Sequence, residues 1–170
     1  MTDMHQARAE RGAAIVALFQ RDASADQALD VRVMRALCYV SEVHATDEDP
    51  LCDGLPGLRD ALVDLLHHAD GWHYPEDVLG GALSITDRLP AGWAAAYRAY
   101  DPLPRADRLE MPGTSDPHEL SALVGAATEI LMAAAAQYEG SPDALVDEAE
   151  ERFLEEREEA RFAAIREARS

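Results

Sequence analysis

The stretch 120–136, LSALVGAATEILMAAAA, decides how the rest of the chain is read. Only Ser121, Thr128 and Glu129 interrupt its apolar residues and Gly125. It falls short of the roughly 20 apolar residues of a membrane span and carries Glu129, so it reads as the central helix of a helical bundle. Its start is expected at Ser115 or Asp116. Pro117 suits the first helical position, and Glu119 follows Asp116 at capping-box spacing. With Gly140 as the stop, the central helix covers 116–138.

Immediately downstream, Ser141 and Pro142 cap and begin a last helix, 142–169. Between Asp143 and Glu159 it holds nine acids and only Arg152 and Arg157, a net of seven negative charges. At about 100° per residue, Leu145, Val146, Ala149, Phe153 and Ala160 gather on one side and Asp147, Glu148, Glu151, Glu155, Glu158 and Glu159 on the other. Sixteen steps span roughly 24 Å, or about one net charge per 3.4 Å, comparable to phosphate spacing along one strand of B-DNA. A solvated amphipathic helix is the simpler reading, and Glu148 to Arg152 fits an ordinary i,i+4 pair. Glu156 falls near the apolar stripe, which suggests that the outer part of this helix leaves its own domain as an exposed arm or dimerisation helix.

Upstream, a helix is expected from about Asp3 to Phe19, with Ala7, Ala14, Ile15, Leu18 and Phe19 at helical spacing. Ser24 opens a second. Leu29, Val33, Leu37, Val40 and Val43 form its stripe, and Val31, Met34, Cys38 and Tyr39 broaden it enough to suggest burial on more than one side. Thr46 to Gly57 reads as an acidic loop. A third helix runs from Pro56 to Ala69, with Leu58, Leu62, Leu65 and Leu66 inward and Gly71 as its stop. Pro75 starts a fourth that ends near Leu89, and Ala91 to Tyr100 forms a fifth with Trp93, Tyr97 and Tyr100 as a packed face. Asp101 to Ser115 is a long loop, functional or mobile. The fold class is all-α: a single-domain bundle of about six to seven helices over residues 1–170.

Composition agrees with a globular domain, at 48% hydrophobic and 28% charged residues. The outlying quantity is charge: 33 acids against 15 bases give a formal net charge of -18, well beyond the magnitude of roughly 2 to 8 that solubility asks of a small domain. Every basic residue is Arg, and the chain contains neither Lys nor Asn. A GC-rich genome explains that substitution but not the acidic excess. Such a chain repels nucleic acid and anionic membranes and attracts basic surfaces. Cys38 and Cys52 do not make a disulfide framework, and Cys38 is expected in the core. Without a signal-peptide h-region near Met1, a cytoplasmic location is expected.

Chemistry-bearing residues concentrate once, at Asp64, His67, His68, Asp70, His73, Glu76 and Asp77. Asp64 and His68 share a helix face and are weak candidates for metal binding, with Asp60 one turn earlier. No H-E-x-x-H or adjacent His-Asp pair completes a motif. His67 and His68 read more simply as imidazolium groups at a helix C-terminus. No catalytic residues and no cofactor are expected, since nucleophile-elbow and phosphate-cradling patterns are lacking.

The leading expectation is a binding protein that masks a basic partner, nucleic-acid-binding or nuclease, through the acidic helix and the loop acids Asp47, Glu48 and Asp49. A DNA-mimic phage inhibitor of restriction or CRISPR machinery and an immunity protein or antitoxin share this physics. A metal-dependent helical enzyme using Asp64 and His68, and a helical scaffold subunit or homodimer, are the alternatives from other classes.

Overall fold

The computed structural model describes residues 3–22, 29–44, 54–101 and 116–170. Within them are seven α-helices and no strand: α1 (Asp3–Asp22), α2 (Leu29–His44), α3 (Gly54–Ala69), α4 (Pro75–Thr86), α5 (Trp93–Arg98), α6 (Leu120–Tyr138) and α7 (Pro142–Arg169). α6 is the hub and touches each of the other six. By length and composition it could cross a membrane, but most of it lies inside the bundle. Ala122, Ala126, Ala127, Ala133, Ala134 and Ala136 are all fully buried on it. Small side chains let neighbouring helix axes approach closely, and this compensates for a core with few aromatic residues.

Two glycines set the closest approaches. A Cβ on Gly12 of α1 would lie 2.2 Å from the Asp64 carbonyl oxygen and 2.7 Å from His68 Cβ, both on α3. One on Gly125 of α6 would lie 2.3 Å from the Phe19 ring of α1. The first contact is backbone against backbone, so no side-chain rotation relieves it.

α6 ends at Tyr138, as the sequence implies, but its start differs from the expectation. The helix begins at Leu120, not Asp116, because Asp116 to Glu119 forms a separate turn. There the Asp116 carboxylate accepts from the His118 N–H (2.9 Å), and the Asp116 carbonyl accepts from the Glu119 N–H (3.2 Å). Nε2 of His68 and Nε2 of His73 donate to the Pro117 and His118 carbonyls at 3.1 and 2.6 Å. Glu119 is left extended, without a side-chain cap. At the other end the left-handed residue is Glu139 (φ 54°), not Gly140, and the Gly140 N–H closes the helix on the Ala134 carbonyl at 2.9 Å. Gly140 serves a different need: a Cβ there would lie 2.5 Å from Leu55 Cδ2.

α2 is buried on one side only, which corrects the broad stripe. Leu29, Val33, Ala36 and Val40 face the core, while Val31, Met34 and Cys38 are exposed. The edge expected for those three is taken instead by Arg32, Arg35 and Tyr39, which reach Glu129 on α6. On α5 Trp93 is buried, but Tyr100 is almost wholly exposed. α4 stops at Thr86, three residues early, where the Thr86 hydroxyl donates back to the Ala82 carbonyl. α3 begins at Gly54, so the last residues expected in the acidic loop, Gly54 to Gly57, belong to that helix; the expected start at Ser24, the loop as far as Asp53, with Cys52, and residues 102–115 lie outside the described residues.

Two glycine substitutions should move stability in opposite directions. Gly12→Ala gains about 1 kcal/mol of helix propensity yet should lose a net of about 1–3 kcal/mol, because the α1–α3 backbones cannot part freely. Gly80→Ala on α4, with open space around its Cβ, should gain up to about 1 kcal/mol. Urea midpoints of the two variants against the parent chain check both signs.

Candidate partner-binding face and the ion networks beneath it

α7 begins as its sequence implies, with the Ser141 hydroxyl accepting from the Ala144 N–H at 3.3 Å and Pro142 at the first position. Its inner face places Leu145, Val146, Ala149 and Phe153 in the core. Its outer face presents Asp147, Glu148, Glu151, Glu155, Glu158 and Glu159, every one exposed. At about 100° per residue these six occupy an arc of about 120° centred nearly opposite the docked side. Asp47, Glu48 and Asp49 lie outside the described residues.

Glu156 reverses its expected role, being only 1% exposed and marking where α7 is most firmly held. Its carboxylate accepts from Arg8 Nη2 at 2.8 Å and from His67 Nε2 at 3.1 Å, and Arg152 Nε lies 2.8 Å away on its own helix. Arg8 continues to Asp64 on α3 at 2.9 Å, where Arg11 also binds, at 2.9 and 3.2 Å. His5 reaches the Glu156 carbonyl at 3.0 Å. One chain of charge-assisted hydrogen bonds therefore fastens α1, α3 and α7. Arg152, expected to pair with Glu148, turns to Glu156 and Glu155 instead.

Burial pushes the Glu156 carboxyl up, but the hydrogen bonds and charge of Arg8, helped by His67 and Arg152, outweigh it and hold the group below its ordinary value. His67 moves down, first through burial and then through the neighbouring His5, whose ring meets it edge-on at 4.4 Å. Burial also lowers His68. These two are therefore neutral interior donors and not the imidazolium groups expected at the end of α3.

A second network joins α2 to α6. Fully buried Glu129 accepts from Arg32 Nη1 at 3.1 Å, Arg35 Nε at 2.8 Å and the Tyr39 hydroxyl at 2.8 Å, and Arg35 Nη2 completes a two-pronged contact. Burial, followed by the Glu129 charge, raises the Tyr39 hydroxyl far above its usual range, so it remains a donor. Sequence reading missed these partners. Their signal was available as arginines three apart, Arg8 with Arg11 and Arg32 with Arg35, set among residues with apolar helical periodicity.

Asp64 and His68 do not converge on a shared site. Two guanidinium groups hold the Asp64 oxygens and place positive charge where a cation would sit, while His68 is directed at the Pro117 carbonyl. Among the described residues no group of three or more His, Cys, Asp or Glu side chains is arranged to hold a metal. His118 instead stacks between His68 and exposed Trp72, with ring centroids 4.5 Å apart on each side. Tyr74, beside it in sequence, is exposed.

Both networks make testable demands. Glu129→Gln removes the buried carboxylate shared by Arg32 and Arg35 and should cost about 3–5 kcal/mol of stability in urea or thermal unfolding. Acid should weaken the fold in two stages. His67 and His68 have folded values below the imidazole's ordinary value near 6.5, so the unfolded chain binds more protons and stability falls as pH drops below that value. Glu156, also lowered, adds its loss as pH falls through the carboxylate range. Urea midpoints from pH 7.5 to 5.5 should decline, and His67→Gln with His68→Gln should flatten that slope. An unchanged slope would contradict the assignment. No known protein family, no curated protein and no solved structure matches the chain, so the charge arrangement on α7 carries the functional reading.

Proposed function

We propose that the protein binds a basic surface of another protein through the outer face of α7 and masks it, acting as an acidic antagonist of a nucleic-acid-binding or nuclease partner. The observation that carries this reading is the exposed arc Asp147, Glu148, Glu151, Glu155, Glu158 and Glu159 on a helix fastened from behind. From Asp147 to Glu159 the axis advances about 18 Å, so the six carboxylates have a mean axial density close to that of phosphates along a nucleic-acid strand, with uneven individual steps of about 1.5 to 6 Å. Arg152, half-exposed, pairs with buried Glu156 at 2.8 Å and reaches one carboxylate of the arc, Glu155, at 3.7 Å.

Rigidity supports recognition here. The Glu156 network and Phe153 fix the rotation of α7 about its axis, so a partner meets charges already in place and orders fewer side chains on binding. Exposed like charges also attract a basic surface at long range, which speeds encounter at low salt and fades when the Debye length falls below about 10 Å.

Affinity capture from cell lysate, read by mass spectrometry at low and moderate salt, tests the reading with two variants of equal charge change. Replacing Glu151, Glu155, Glu158 and Glu159 by Gln should abolish retention of basic proteins, at least tenfold. Replacing the exposed acids Glu42, Glu76, Asp77 and Asp87 by their amides should leave it intact. Equal retention by both variants, or no basic protein retained by the parent chain, overturns the proposal.

A further inference from the structure

From Leu154 outward the last helix carries large apolar side chains that the bundle does not cover, and past Glu156 Arg157 reaches Asp70 at 3.6 Å. Leu154, Phe162 and Ile165 are 48%, 55% and 39% exposed. At about 100° per residue they fall, together with Glu158, within about 80° of one another, on the side opposite Ala149. Charge along the same helix is graded. Acids dominate through Glu159, whereas 160–169 holds Arg161, Arg166 and Arg169 against Glu167 alone. α7 is therefore an apolar strip with a negative stretch at one end and a positive stretch at the other.

A second copy of the helix, laid antiparallel, complements both features. In a register centred near residue 160, Leu154 of one copy meets Ile165 of the other, and Phe162 covers the methylenes of Glu158. Glu151, Glu155 and Glu158 then stand opposite Arg169, Arg166 and Arg161 of the second copy, and two-fold symmetry makes each pair twice. Like flanks meet when helices run antiparallel. Glu155 and Arg166 share one flank of the strip, as do Glu151 and Arg169, so the pairs form without crossing the apolar seam. A parallel arrangement would instead set acid against acid and arginine against arginine. The overlap from Glu151 to Arg169 spans about 27 Å of helix.

We propose that the protein forms a two-fold symmetric dimer through an antiparallel pairing of the outer halves of α7, seamed by Leu154, Phe162 and Ile165 and registered by its own glutamate–arginine pairs. The pairing leaves Asp147, Glu148 and Glu159 at the ends and margins of the seam. It adds the arginines and apolar residues of the arm to Glu151, Glu155 and Glu158, so a second copy and a basic partner compete for those three acids.

Sedimentation equilibrium of the full chain from micromolar to submillimolar concentration tests it. The parent chain should be dimeric, and a variant with Leu154, Phe162 and Ile165 all changed to Gln should be at least tenfold weaker, with an unchanged circular dichroism spectrum because these side chains lie outside the core. A variant carrying Arg161→Glu, Arg166→Glu and Arg169→Glu, and another carrying Glu151→Arg, Glu155→Arg and Glu158→Arg, should each be monomeric alone and pair one-to-one when mixed. A monomeric parent chain, a dimer indifferent to the apolar substitutions, or charge variants that fail to pair would overturn the proposal. Retention of a basic partner by a monomeric parent chain would sink the dimer and leave the binding function standing.

Discussion

The contact on which the rest of the structure depends is the pairing of Arg8 with both Asp64 and Glu156. Three helices far apart in sequence meet there, and each buried carboxylate would be prohibitively expensive without its guanidinium. Hydrophobic burial alone is non-directional and would let α7 rotate on the bundle by a residue or two with little loss. A carboxylate that must reach Arg8 and His67 permits one rotation, and in that rotation the six exposed acids point outward. The close α1–α3 approach at Gly12 belongs to the same constraint, because it brings Arg8 and Arg11 within reach of Asp64.

The buried networks also sharpen the meaning of the acidic composition. Asp64, Glu129 and Glu156 are the buried acids among the described residues, and five of the fifteen arginines, Arg8, Arg11, Arg32, Arg35 and Arg152, are engaged by them. Three of these arginines, Arg8, Arg32 and Arg35, are themselves buried and balance the three buried acids, while Arg11 and Arg152 stay partly exposed. The interior pairs therefore leave the acidic excess of the described residues on the surface. On α7 that excess takes the form of six exposed carboxylates on the outer face, Asp147, Glu148, Glu151, Glu155, Glu158 and Glu159.

The helices were legible because their signals are local. Pro75, the Ser141–Pro142 pair and the apolar run from Leu120 fix starts, stops and centrality within a few residues. What escaped was long-range and polar. Glu129 read as a reason against a membrane, and Glu156 as a sign of detachment, because a single charged residue on an apolar stripe cannot reveal an arginine waiting on another helix. Cys38 was placed in the core for the complementary reason: periodicity counts a thiol as apolar but cannot see that Arg32, Arg35 and Tyr39 already fill that edge. The start of α6 slipped from Asp116 to Leu120 because His68 and His73, more than 40 residues upstream, claim the carbonyls of Pro117 and His118.

The outer half of α7 follows from the same physics with the sign reversed. An isolated helix of about a dozen residues is marginal in water, and once Glu156 is passed the last turns of α7 are tied to the bundle by the half-exposed Arg157–Asp70 pair at 3.6 Å and by no buried ion pair among the described residues. Their arginines have no buried acids to satisfy, and their apolar residues have no core to enter. Where the inner half is held by charges that meet inside the domain, the outer half carries the same two ingredients, guanidinium and carboxylate, in an order that only another molecule can complete. The acidic face and the arm therefore overlap on one helix: Glu151, Glu155 and Glu158 belong to both, and the network at Glu156 fixes the rotation of the face that they share.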